Sequence, residues 1–393
     1  MQVLFKYKQL EEVEKLIVEW FKPLGVEEVP VEESTGRILA EDIVAPHDVP
    51  GEDVSHVDGY AISECSGTVY KLVEHDELKP CEAKYVNTGE PVPRNTTAVA
   101  PREAVRLVGE GYVDVLKKYE RGHEVIWRGS DVRQGEVLAK KGSTILPVTT
   151  RILVELGFEK VKVYKKPRVL VVPVGSEFAE GLKKESSSIV VKSMCEAVGA
   201  QVSLHEPVED SVNAVKHVLA EGLEQYDVVV TIGGVSLGSR DYTLTAATSL
   251  PGSALLARGI AVQPGRTTTL LATSSKPLVL LPGLIQSTIS GGVFVLQPIL
   301  KRLQGSSTLK SHYLLGYYKL AEDYEYRGRF AAFTRLRFAR LVSEGELEVV
   351  IEEAPSPIQS IVHKSHGFVL LERGVVRIQR GALIKLYRAP GLY

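Results

Sequence analysis

A chain of 393 residues, 44% hydrophobic and 24% charged, has an ordinary globular make-up and, at roughly 100–200 residues per domain, room for two to four domains. Its formal net charge of -2 argues against a dominant electrostatic surface for nucleic acid. No uncharged apolar run reaches the roughly 18 residues of a membrane helix, and the opening MQVLFKYKQLEEVEKL lacks the apolar core of a secretion signal, so a cytoplasmic protein with neither membrane nor nucleic-acid partner is expected.

From Tyr7 to Lys22, the residues Leu10, Val13, Ile17, Trp20 and Phe21 recur at helical spacing between charges, predicting an amphipathic helix stopped by Pro23 and Gly25. Residues 46–128 change to short β-type runs broken by Pro, Gly and Asn, among them GTVYKLVEH and GYVDVLKK. They read as a β-rich inserted domain. Cys65 and Cys81 fall within it and Cys195 beyond it; an odd count without CxxC spacing predicts neither a disulfide framework nor a cysteine zinc site, and fits a reducing compartment. Residues 129–166 carry two Gly-marked turns, a helix near Val148–Leu156 and the strand KVKVY. This stretch is expected to pack with the N-terminal helix, so that residues 1–45 and 129–166 form one discontinuous domain. In residues 167–305 the strands RVLVVPVG, AQVSLHEPV, YDVVVTIGG and PLVLLPG alternate with helices around Ile189–Val198 and Ser211–Leu223. Continuous apolar strands between helices predict a doubly wound α/β domain with a buried parallel sheet. Residues 306–393 return to β patterns such as HYLLGYYKL and GFVLLE, giving a C-terminal β domain with no helix. The fold class is therefore α/β and multidomain.

In a doubly wound sheet, ligands bind beyond the carboxyl ends of the strands. Three loops are expected there. The first is Val174-Gly175-Ser176-Glu177. The second, GGVSLGSRDY, offers Gly233, Gly234 and Gly238 for close backbone approach, the hydroxyls of Ser236 and Ser239, and Asp241 as a ligand for a phosphate-bridging metal. The third is Pro282-Gly283, with Gln286 and Ser287 at a helix start, where the macrodipole favours an anion. Glycine turns after parallel strands also occur merely to reverse the chain. Neither a GxxxxGK[ST] P-loop nor an intact GxGxxG is present, which weakens nucleoside-triphosphatase and dinucleotide readings. In the insertion, Asp48, Asp53 and Asp58 lie five residues apart, either as a functional cluster or as a solvated turn, and Asn87–Pro93 is a rigid loop by composition.

Six segments, in this order, resemble the molybdopterin molybdenumtransferase family (the gephyrin E-domain type). They are VPGxDxSxxDGYA at Val49–Ala61, TGxPVP at Thr88–Pro93, GxDVxxGEVL at Gly129–Leu138, PRVxVxxxGxE at Pro167–Glu177, GGVSxGxxDY at Gly233–Tyr242 and LPG at Leu281–Gly283. The resemblance spans essentially the whole chain. It implies an elongated homodimer whose site combines the insertion of one subunit with the α/β domain of the other. It also implies insertion of molybdate, or tungstate, into adenylylated molybdopterin with release of AMP and with Mg²⁺ as cofactor. The molybdopterin adenylyltransferase is then an expected partner. Asp58, Thr88, Glu177, Asp210 and Asp241 fall on the family's functional polar positions, with Glu177 and Asp241 as metal ligands. Gly175, Gly233, Gly234, Ser236, Gly238, Arg266, Pro282, Gly283 and Ser287 would hold the pterin substrate and the oxyanion.

The chain also departs from the family's pattern. Val54 replaces an Asn, Glu185-Ser186-Ser187 a DSN, and Ser176 an Asp. Gln263 and Arg266 replace the lysines of KPGK, and Pro282–Ser287 reads PGLIQS rather than PGNPVS. Arg266 keeps a cation with different donor geometry. Loss of a charged contact commonly costs about 1.5–3 kcal/mol, or one to two decades of affinity. Two expectations therefore stand side by side: a metal-inserting enzyme with an altered pocket, and a paralogue that binds a pterin, a nucleotide or a partner protein without turnover. An adenylyltransferase acting one step earlier would share the α/β domain but does not account for the others.

Overall fold

The first amphipathic segment forms α1 (Leu10–Trp20), opened by a capping box between Gln9 and Glu12. The computed structural model describes residues 7–235, 241–343, 347–352 and 360–393. Val13, Ile17 and Phe21 are fully buried, in the same core as Val293, Leu296, Ile299 and Leu300. Arg302 donates to the carbonyls of Phe21 and Val18 at the end of the helix (2.9 and 3.2 Å), where a cation complements the dipole. This corrects the expectation that α1 packs with residues 129–166. That stretch closes a small core of its own: Lys160–Tyr164 pairs with Val26–Pro30, Val137–Ala139 with Ile43–Val44, and α2 (Pro147–Glu155) adds Leu153. The wide apolar surface that the α1 stripe needs lies on the α/β domain instead.

The insertion holds a six-stranded sheet whose central strands are Glu82–Val86 and Val69–Leu72, with a core around Ile62, Ala83, Ala98 and Val113. Cys65 and Cys81 are joined in a disulfide, contrary to the expectation from spacing. The cause is register: Ile62 pairs with Ala83 across antiparallel strands, and the Cys81 N–H donates to the Glu64 carbonyl, which brings the two cysteines together. The bridge removes the cysteine pattern as an argument for a reducing compartment.

The α/β domain is built on β1 (Arg168–Pro173), β2 (Gln201–Leu204), β3 (Val228–Ile232), β4 (Ser253–Arg258), β5 (Thr269–Thr273) and β6 (Lys276–Leu281), in the order β2-β1-β3-β6-β5-β4. The first four in that order are mutually parallel; β5 runs against them, and the edge strand β4, antiparallel to β5, runs with them again. Val228–Ile232 and Leu278–Leu281 are buried throughout, as strands covered on both faces must be. The helices are the short α3 (Ser176–Ala179), α4 (Ser187–Glu196), α5 (Val212–Gln225), α6 (Tyr242–Thr248), α7 (Ile285–Gly291) and α8 (Gln297–Leu303), the last two joined by a π-helical turn. The C-terminal strands close a ring, because Gly367–Leu371 pairs with both Leu383–Arg388 and Thr334–Leu341. A two-residue strand, Val262–Gln263, leaves the α/β domain to join that sheet. Against expectation this region also holds a helix, α9 (Ser360–Lys364); five residues anchored by Ile361 are too few to show a helical period. No helix among the described residues is long and apolar enough to cross a membrane.

Candidate active site

The chain steps from β1 outward to β2 and then back to β3 on the other side, so the sheet's switch point lies between β1 and β3. The loop after β6 emerges next to that after β3. The three loops touch: Val174 N–H donates to Ile232 O (2.8 Å) and Gly233 N–H to Leu281 O (3.0 Å), and a Cβ on Gly283 would sit 3.5 Å from Gly233 Cα. Gly233 and Gly234 are in the left-handed region (φ 92 and 64°). A side chain at the first would strike the Val174 carbonyl, and at the second the Thr243 hydroxyl. Their glycines are therefore required by the close approach of the loops as well as by conformation. Ser236 and Gly238 lie outside the described residues.

The acids are held in different ways. Asp241 is buried at the N-cap of α6, where its carboxylate accepts from Leu244 N–H (3.0 Å). Asp210 accepts from Ser176 N–H (3.2 Å) while the Ser176 hydroxyl accepts from Asp210 N–H (3.0 Å). Ser176, one of the departures, is thus half of a reciprocal clamp that ties the loop after β1, beside Gly175, to the start of α5. Glu177 lies in the first turn of α3 and makes no side-chain hydrogen bond or ion pair with the described residues. Another departure, Glu185, accepts from Ser187 N–H (2.6 Å), Ser188 N–H (3.1 Å) and the Ser188 hydroxyl (2.5 Å), filling the first turn of α4 with a carboxylate from the chain itself. Among the described residues no three acidic, histidine or cysteine side chains gather into a metal cage.

The segment from Gln263 to Arg266 lies against α7, with Gly265 packed on Ser290 and close to the Ser287 carbonyl. Gln286 and Ser287 are buried beside it, and Pro282 O accepts from the Thr288 hydroxyl (2.5 Å). Arg266, Pro282, Gly283 and Ser287 therefore come to one side of the same loop cluster. Two residues that the sequence did not suggest hold this segment: Arg337 donates to Gln263 O (3.0 Å), and Phe330 lies 4.8 Å beneath the Arg266 guanidinium. Both come from the C-terminal domain, and no local signal announces a contact 74 residues away.

In the insertion, exposed Asp58 accepts from both the N–H (2.7 Å) and the hydroxyl (3.0 Å) of Thr88. Those two bonds, the backbone one first, hold its carboxyl below the ordinary value of 3.8. Asp48 and Asp53 serve the fold: Asp48 accepts from Gln134 N–H and Arg128 Nε, and Asp53 from Arg128 N–H, fastening the returning segment. His56 pairs with Glu124 at 2.7 Å. Among the described residues, no hydrogen bond, ion pair or hydrophobic cluster joins the Asp58–Thr88 pair to the three loops of the α/β domain.

A doubly wound domain with glycine-lined loops and carboxylates at its switch point defines a class of protein built to hold a phosphate-bearing ligand. A family model described as "MoeA N-terminal region (domain I and II)" matches residues 8–157, and one described as "Probable molybdopterin binding domain" matches residues 170–302. A molybdopterin molybdenumtransferase of Staphylococcus aureus is 28% identical over 81% of this chain and 80% of its own. A molybdopterin biosynthesis protein of Methanocaldococcus jannaschii is 26% identical over 98% of this chain and 99% of its own. The crystal structure of a molybdopterin biosynthesis MoeA protein from Pyrococcus horikoshii superposes with a TM-score of 0.76 at 27% identity, covering 98% and 99% of the two chains. The chain belongs to the molybdopterin molybdenumtransferase family.

Proposed function

We propose that this protein is a transferase of molybdenum-cofactor biosynthesis that inserts molybdate, or tungstate, into adenylylated molybdopterin and releases AMP. The observation that supports the reading is the contact of three loops at the switch point, which carry Glu177 and the Gly233–Gly234 backbone, with Asp241 capping the helix that follows the second. Gly175, Gly233, Gly234, Gly283 and Ser287 bind the phosphates and pterin, together with Ser236 and Gly238. Arg266, steadied on Phe330, attracts the oxyanion. The donor set suits Mg²⁺, which takes one or two carboxylates and completes its shell with water and phosphate oxygens. Glu177 makes no side-chain hydrogen bond or ion pair with the described residues, and Asp241, at the start of α6, is the second carboxylate of the set. When bound, the ion would screen the pyrophosphate and polarise the bond that breaks. Asp58, kept ionised and oriented by Thr88, completes the site from a second subunit, so the working form is a homodimer. The substrate implies supply by a molybdopterin adenylyltransferase in the same cytoplasmic compartment.

A single-turnover assay tests this with adenylylated molybdopterin, Mg²⁺ and either oxyanion. Oxyanion-dependent AMP release is expected from the protein and not from Asp241→Asn. Asparagine caps a helix as well as aspartate does, so this variant keeps the fold of α6 and removes the charge. Tight pterin binding without AMP release by the unaltered protein would overturn transfer in favour of a binding protein on the same fold.

A further inference from the structure

At the opposite end of the sheet, a cleft of about 620 Å³ opens between the amino ends of the β1, β2 and β3 strands and the two-stranded sheet of residues 26–30 and 160–164. It is remote from the carboxyl-end loops, and the proposed reaction uses none of its residues. Arg37, Lys165, Lys166 and Arg168 line it with only Glu27 and Asp227 against them. Asp227 is committed to the N–H and Nε of Arg168 (2.9 and 3.4 Å), and Glu27 to Arg37 (2.5 Å). Lys165 and Lys166 have no carboxylate partner among the described residues. The decisive residue is Arg37. It is 92% buried, yet its hydrogen bonds to Glu27 and to Tyr164 O both leave from Nη2. Its Nε and Nη1 bond nothing among the described residues and are not sealed from solvent. With both Nη2 hydrogens taken, Nε and Nη1 donate toward opposite sides of the guanidinium, so Nη1 can give one charge-assisted hydrogen bond to a single oxygen of a tetrahedral anion.

We propose that this cleft is a second anion site, for a small molecule bearing a phosphate or pyrophosphate group. Arg37 donates from Nη1 to one oxygen at the floor. Lys165 and Lys166 close over the remaining charge, and Arg168, already neutralised by Asp227, shapes the rim. A monoanion such as chloride fills neither the volume nor the charge. Because the walls belong to two units of the chain, a bound anion also ties them together.

The test is the rate at which an acylating reagent modifies individual lysines, read by mass spectrometry on the whole protein. Inorganic pyrophosphate is compared with chloride at equal ionic strength, and AMP forms a separate arm. Pyrophosphate is expected to slow modification of Lys165 and Lys166 about tenfold at saturation, and to leave exposed Lys364 unchanged. Protection by AMP as well would identify a nucleotide as the source of the phosphate, and protection by pyrophosphate alone an inorganic or pyrophosphate ligand. Arg37→Gln should abolish the effect. Should that variant fail to fold, Lys165→Gln, a surface change, should weaken protection of Lys166 by about the same factor. Equal modification rates in pyrophosphate and chloride would overturn the site, as would protection that survives both substitutions.

Discussion

Asp58 and Thr88 show how a loop can fix the charge of a single carboxyl. The Thr88 N–H lowers the Asp58 pKa most and its hydroxyl next; desolvation opposes them, and the charge of Arg102 adds the least. Since the folded value lies below the ordinary 3.8, the pair favours the folded loop at every pH above 3.8 and loses that effect as pH falls through the depressed value. Thr88→Val keeps the backbone bond and removes the hydroxyl one. Its Asp58 should titrate higher than in the native chain but still below 3.8, as followed by NMR of the side-chain carboxyl. An unmoved titration would mean that the hydroxyl does not engage Asp58 in solution. Ser176 and Glu185 teach the complementary point. Both look like losses against the family's pattern, yet one clamps Asp210 and the other caps α4.

Such caps act on whole elements. Glu185→Ala strips the acceptor from two N–H groups and a hydroxyl at the start of α4, a change of about 1–2 kcal/mol, the size of losing a side-chain cap, although Glu185 stands one residue before the N-cap Ser186. Glu185→Gln, which keeps an acceptor without the charge, should lose less, and urea melts of the two variants would rank them. Cys65→Ser should destabilise the insertion by about 3 kcal/mol, the loop-closure effect of a bridge spanning 16 residues. The comparison is denaturant unfolding with and without reductant, which should move the native chain and leave the variant where it is. Much of the α/β domain was legible because a parallel strand buried on both faces writes itself as an apolar run, as VVVTI at Val228–Ile232 does. The disulfide was not, because strand register decides which cysteines meet. The docking of α1 was not either: a stripe of Val13, Ile17 and Phe21 says that something is covered and does not say by what. In the site, the glycine loops could be read directly, whereas Arg337 and Phe330 come to it from the C-terminal domain, where the short strand Val262–Gln263 stitches the α/β domain to the C-terminal sheet.

At the scale of the molecule, the proposed chemistry needs two groups that belong to different domains of the chain. The Asp58–Thr88 pair sits on a sheet with its own core around Ile62 and Val113, and Asp241 sits on the α/β core around Leu244 and Leu280. If the insertion of one subunit serves the α/β domain of its partner, each variant of Asp58→Asn and Asp241→Asn should be inactive alone, since both sites of either homodimer lack one carboxylate. In a mixed dimer, one site carries both substitutions and the other carries neither. Random exchange of equal amounts puts half of the chains in mixed dimers, each with one working site of two, so AMP release should recover to about a quarter of the native value. The measurement is AMP release after co-refolding the two variants, with light scattering to verify the dimer. No recovery in a sample shown to be dimeric would place both carboxylates in one chain's site, or remove Asp58 from the reaction. Recovery in a sample shown to be monomeric would count against a shared site altogether.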